Sequence, residues 1–178
     1  MTIRPETGDY NSYYAPYVSM VPNGEIEAIL IEQINETIQL LQPITETQAL
    51  FRYGPDKWTI KEVIGHVTDT ERIMGYRLLC IARGETVSLP GYDDNKYVRN
   101  AEFNHLSVQE LLENLAGVRT STIQLLRGLP EKAWNRKGNA NDSEVTVRAL
   151  AYIMAGHERH HRKILIERYL GNEKYLSL

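Results

Sequence analysis

Three histidines, His66, His157 and His161, are the residues of this chain whose type and spacing most directly imply chemistry. The last two stand in Gly156-His157-Glu158-Arg159-His160-His161. Four residues are slightly more than one helical turn, so both imidazoles project from the same face of a helix. Such a pair binds one metal ion when another element supplies a third ligand. Outside this cluster the only histidines are His66 and His105. His66 falls among the apolar residues of another amphipathic segment, whereas His105 falls in a polar loop. The expectation is a three-histidine site built between two helices, with His160 flanking it. Neutral imidazole suits Zn, Ni, Fe, Mn or Co. Three protein ligands leave positions open for water or substrate, which is the catalytic arrangement. An ion held this way lowers the pKa of a bound water or thiol.

The same stretch satisfies H-E-x-x-H, the zinc-protease pattern, in which the glutamate acts as general base. That reading needs a third ligand, usually downstream. Only Glu167 and Glu173 follow His161 as acidic residues, and Ile164 stands where the metzincin glycine would be. An all-helical chain also lacks the edge strand on which such proteases align a peptide. Glu158 is kept as an acid–base candidate, with a solvated glutamate on the helix flank as its neutral alternative. Asp69, one turn from His66, is a second acid–base candidate, or a group that orients a ligand imidazole.

Four amphipathic helices must position these groups. The first covers about Gly24 to Leu41 and has the stripe Ile26, Ile29, Leu30, Ile34, Ile38 and Leu41. The second begins at Thr59-Ile60-Lys61-Glu62, a capping box, and runs to about Arg83. The third begins at Ser107-Val108-Gln109-Glu110, another capping box, and ends near Gly128. The fourth starts near Ser143 or Thr146 and runs to Leu170, closed by Gly171. His66 lies three residues after Val63 and seven before Ile73. His157 lies one turn beyond Ile153 and Met154. All three candidate ligands therefore sit on inward faces. Residues 1–22, with Tyr10, Tyr13, Tyr14 and Tyr17, read as an extended N-terminal arm packed on the body, outside a bundle domain at 23–178. A loop of roughly 20 residues joins the second and third helices, and loops that long are often functional. No strand-like alternation is evident, so the fold class is all-α, a four-helix bundle.

Bulk composition excludes several classes. The 178 residues suffice for one domain with a substantial core. Twenty basic and 23 acidic residues give a net charge of −3, with no basic block, so nucleic-acid binding has no electrostatic footprint. No segment approaches a membrane span, and the first residues have no apolar run of a signal peptide. A soluble cytoplasmic protein is expected. The single cysteine, Cys80, excludes an internal disulfide and falls on an apolar stripe, where an inert thiol is expected.

Trp58-Thr59-Ile60-Lys61-Glu62-Val63-Ile64-Gly65-His66-Val67-Thr68-Asp69 resembles the second-helix motif of the DinB/YfiT-like family. The ending His157-Glu158-Arg159-His160-His161 resembles that family's H-x-x-x-H helix, with order and spacing preserved from the first helix to Leu170. The resemblance implies a four-helix bundle, assembled as a homodimer, with a divalent metal held by His66, His157 and His161. Members are described as metal-dependent hydrolases, and better-understood relatives as bacillithiol S-transferases and mycothiol-dependent isomerases. The function it implies is a thiol S-transferase, in which the metal activates a low-molecular-weight thiol toward a small-molecule substrate. The alternatives are a hydrolase with hydroxide on the metal as nucleophile, and a non-enzymatic metal-binding stress-response protein. Tyr92, Asp93 and Arg99 in the long loop could border the site. Arg99, Arg159 and Arg162 are candidates for binding carboxylates or hydroxyls of a thiol.

Overall fold

In a computed structural model, which describes residues 4–178, the chain is mostly helical. Its elements in order are α1 (Ala15–Met20), α2 (Ile26–Leu41), α3 (Glu46–Ala49), α4 (Ile60–Ala82), α5 (Asp94–Ala101), α6 (Val108–Arg127), β1 (Lys137–Ala140), β2 (Ser143–Thr146), α7 (Val147–Ile164) and α8 (Glu173–Leu176). The helix starts follow from local chemistry. Thr59 and Ser107 each accept the backbone N–H of the glutamate three residues on, and that glutamate reaches back to the cap N–H. Both halves of each box are formed, which satisfies donors that a helix start leaves open. Thr146 caps α7 by accepting from the Ala149 N–H. The fourth helix therefore begins after Thr146, and Ser143 belongs to β2. Beyond Ile164 the same helix continues as a π-helical segment, Leu165–Leu170.

The bundle is formed by α2, α4, α6 and α7. Helix α4 packs on α6 and α7, and α2 packs on the same two. Going round the bundle the order is α2, α6, α4, α7, so α2 faces α4 across a diagonal and α6 faces α7. In an up-down-up-down bundle consecutive helices are neighbours. Crossing a diagonal requires a longer connection, and the chain supplies two. Residues 42–59 carry α3, and residues 128–146 carry a 3₁₀ turn and the hairpin β1–β2.

Three segments differ from the sequence expectation. The N-terminal arm is not extended throughout: a 3₁₀ turn at Ser12–Tyr14 leads into α1, which packs against α7. Pro16 stands in the first turn of α1, where its missing N–H costs nothing. A short antiparallel hairpin is present, with Asn141 and Asp142 both at positive φ. Two such residues make the turn whose twist matches paired strands, and Asn and Asp tolerate that conformation best among non-glycine residues. The long connection between α4 and α6 also carries a helix, α5, started by the Asp93 side chain on the Lys96 N–H.

The apolar stripes close two large clusters and a small third one of Ile34, Val67 and Leu115. One gathers Met74, Leu78 and Ile81 of α4 with Ile153 and Met154 of α7. The other gathers Ile60, Val63 and Ile64 of α4 with Leu111, Leu165 and Tyr169. Between them in sequence, on both α4 and α7, come the histidines. The middle of the bundle is thus a polar layer held by apolar packing at either end. Among the described residues no helix is long and apolar enough to cross a membrane.

Candidate metal centre

Helix α4 presents His66 and α7 presents His157 and His161 toward one point on the seam between them. The ligand atoms available on the three rings all lie within 4.8 Å of one another. His66 Nε2 and His157 Nε2 are 3.1 Å apart. Two nitrogens bound at metal distance to one tetrahedral ion stand about 3.3 Å apart, so this pair is spaced to share an ion. His66 and His157 are buried, and His161 is half-buried. Trp58 lies against His66, with ring centroids 4.6 Å apart. Tyr17 of α1 meets the edges of both His157 and His160.

Electrostatics keep these rings neutral. Burial pushes His66 below its usual value, against a smaller opposing pull from Asp94 and Asp69. Burial also drives His157 and His161 well below theirs, and the neighbouring imidazoles add to it. A ring that resists protonation keeps its lone pair available, which is the form a metal requires. The donor set therefore fits a divalent ion of the nitrogen-preferring kind. His105 lies elsewhere, exposed and beside Glu102.

Glu158 does not face the site. One residue on from His157 is about 100° round the helix, and this places its carboxylate in the interior. There it accepts from Thr37 Oγ1 at 2.6 Å, from Arg119 Nη2 at 2.6 Å and from Gln33. Arg119 also binds both carboxylate oxygens of Glu71. Desolvation opposes ionisation of Glu158, but the adjacent Arg119 and the donors from Thr37 and Gln33 hold its pKa below the usual range. The solvated-flank reading of Glu158 is corrected by this burial, and its carboxylate is engaged by Thr37, Gln33 and Arg119. Asp69 pairs instead with Arg72 at 3.0 Å, one turn along its own helix.

The rest of the expected lining is redistributed. A cavity of about 200 Å³ adjoins His157, and its walls include Tyr14 and Tyr17 from the arm, Thr70, Met74 and Arg77 from α4, and Tyr92 and Asp94. Tyr92 thus belongs to it, its hydroxyl 2.7 Å from Thr70 Oγ1. Asp93 instead caps α5, and Arg99 is exposed at the far end of that helix. Arg159 donates to Gln33 Oε1, and Arg162 to the Gln33 carbonyl and to Glu36, so both face α2. Sequence reasoning missed Arg77, Asp94 and Thr70. The steps of four and three residues from Thr70 to Met74 and Arg77 place all three on one face of α4, a periodicity that could have signalled them. A larger groove, about 770 Å³, runs along α4 and α6 and contains none of the histidines.

Gly156 explains how the arm reaches this place. A Cβ there would lie 2.0 Å from the Tyr17 carbonyl oxygen. Only glycine lets the α1 backbone lie directly on α7, with Tyr17 beside the histidines.

Comparison with known proteins agrees with this architecture. A protein of Oceanobacillus iheyensis, provisionally named a metal-dependent hydrolase, is 24% identical over 149 residues, covering 76% of this chain and 84% of its own. The structure of YfiT from Bacillus subtilis, described as a probable metal-dependent hydrolase with an unusual four-helix bundle topology, superposes with a TM-score of 0.70. That match has 19% identity and covers 95% of this chain and 94% of YfiT. A mycothiol-dependent maleylpyruvate isomerase superposes with a TM-score of 0.65 at 13% identity, covering 82% of this chain and 61% of that one. A family model of the DinB superfamily matches residues 29–165, which include all three histidines, and by that match the chain belongs to the DinB superfamily.

Proposed function

We propose that this protein is a metal-dependent enzyme acting on a small molecule, and that its reaction is transfer of a low-molecular-weight thiol. The observation that carries the reading is the convergence of three neutral imidazoles beside a cavity, with both expected carboxylate bases engaged elsewhere. When bound, the ion acidifies a coordinated thiol, so that a nucleophile forms at neutral pH without a protein base. His66, His157 and His161 would hold the ion, and three protein ligands would leave room in its coordination for a small molecule; of the three, His157 lines the cavity. Tyr17 and Tyr92 keep their protons, because burial raises Tyr17 to about 12 and Tyr92 further. They serve as hydrogen-bond donors and as walls that exclude water. The thiol-dependent character of the structurally similar isomerase supports the same direction.

Hydrolysis is the second reading. It is favoured by Asp94, whose carboxylate lines the cavity and could accept a proton from a water held there. The provisional hydrolase assignments of the Oceanobacillus iheyensis protein and of YfiT point the same way. The test is elemental analysis of untagged protein beside His66→Ala, followed by assays with thiol plus electrophile and with ester or amide substrates. About one transition-metal ion per chain, lost in the variant, supports the site. Turnover that requires the thiol supports transfer, and turnover without it supports hydrolysis. No metal uptake even on titration would leave the histidines structural and end both readings.

A further inference from the structure

Arg77 is a buried cation with no carboxylate within ion-pair distance among the described residues. It is 3% exposed. Its Nη2 donates to the Pro90 carbonyl at 2.6 Å, and its Nη1 meets only the Met74 thioether at 3.6 Å. Its Nε has no acceptor among the described residues. A thioether is a weak acceptor, and burying a guanidinium without a counter-ion is costly. The contrast with Arg119 is internal to the molecule: that guanidinium, equally buried, is bracketed by Glu71 and Glu158. Nothing comparable flanks Arg77 within ion-pair distance among the described residues.

Its location gives the imbalance a use. Arg77 is eleven residues beyond His66, about three turns and roughly 16 Å along the axis, so both project from one face of α4. Helical side chains lean toward the N-terminus, which carries the guanidinium back toward the histidines. Arg77 and His157 line the same cavity, and the Tyr92 ring lies 5.9 Å from the guanidinium carbon. Tyr92 in turn is joined to Thr70. The guanidinium is therefore fixed in position by its neighbours, as a recognition group must be.

We infer that Arg77 is the anchor for a carboxylate on the substrate, several bonds removed from the atom that meets the ion. The inference rests on the small-molecule site proposed above and specifies the substrate class. A carboxylate matches the planar donor fork. A single negative charge matches one guanidinium, and the Asp94 carboxylate on the same cavity repels a phosphate dianion more strongly than a monoanion. The substrate is elongated, with a metal-seeking group at the histidine end and an acid at the Arg77 end.

The test uses 6-mercaptohexanoate and its primary amide, titrated calorimetrically into full-length protein loaded with one equivalent of zinc. Wild type should bind the acid at least tenfold more tightly than the amide. Arg77→Met should bind both at the amide level while its zinc content, read by elemental analysis, stays at that of wild type. Equal binding of acid and amide by wild type overturns the inference, as does an acid preference that survives in Arg77→Met. Displacement of the acid by an equal concentration of inorganic phosphate overturns the carboxylate assignment. Should Arg77→Met not fold, Arg77→Lys keeps the charge and loses the fork, and an undiminished preference there overturns the role of the fork. If the chain takes up no zinc, the ion site fails separately. Hexanoate against hexanamide on the metal-free protein then decides Arg77 alone by the same preference.

Discussion

Arg119 donates to Glu158 at 2.6 Å, with both side chains almost wholly withdrawn from solvent. This pair joins α6 to α7 immediately behind His157, and Glu71 and Gln33 extend it to α4 and α2. All four bundle helices therefore meet in one polar network at the level of the histidines. The acidic residue of the H-E-x-x-H pattern is the centre of this network.

Glu158→Ala should destabilise the protein by about 3–5 kcal/mol, because it strands part of the Arg119 charge in the interior. For a chain of this size that is roughly 6–20 °C in melting temperature. Thermal unfolding followed by circular dichroism checks it. A loss below about 1 kcal/mol, outside the range expected for a broken buried pair, would return Glu158 to consideration as a base.

Acid should act on the same group. The folded pKa of Glu158 is lowered from its usual 4.5. Its contribution to stability is therefore complete above the unfolded value and is lost as pH falls through the folded one. Glu158→Gln should flatten the acid limb of the stability–pH curve below about pH 4.5, measured by urea unfolding at each pH. An unchanged limb would show that other carboxylates control acid unfolding.

His161→Ala should abolish uptake of a stoichiometric divalent ion and leave the far-ultraviolet dichroism of the bundle intact. His160→Ala, half-buried against Tyr17, should keep full uptake. Elemental analysis after dialysis reads both. Metal lost from the His160 variant and retained in the His161 variant would put the wrong pair on the ion.

Gly156→Ala forces a methyl group into the Tyr17 backbone, and overpacking of this kind costs about 1–3 kcal/mol. The cheapest relief is release of α1 from α7. Limited proteolysis should cut before residue 26 in the variant sooner than in wild type. Equal cutting would mean that α1 is held mainly by its other contacts.

The parts of the fold legible in sequence were those with local causes. Thr59 with Glu62 and Ser107 with Glu110 marked two helix starts, because a capping box is complete within four residues. The histidine triad was legible because helical periodicity projects residues four apart to one side, and because His66 shared its stripe with Val63. The hairpin was not, since Lys137-Gly138-Asn139-Ala140 has no alternating pattern. Gly138 is there because the Ile81 side chain occupies the space of a Cβ, a tertiary reason. α1 was hidden by Pro16, which reads as a breaker until its place in the first turn is known. The buried arginines were hidden in the same way: Arg119 at an inward position is intelligible only beside Glu71 and Glu158, from two other helices.

Tyr14 and Tyr17 line the cavity, yet both precede residue 29, where the match to the family begins. The histidines lie inside the matched span, and this part of the wall lies outside it. On the function proposed above, the ion ligands come from the matched bundle, whereas the wall facing the substrate is shared between that bundle and the leading segment. A relative can then keep all three histidines and still accept a different molecule. A change confined to the leading segment would then reshape the space beside the ion without touching the residues that hold it.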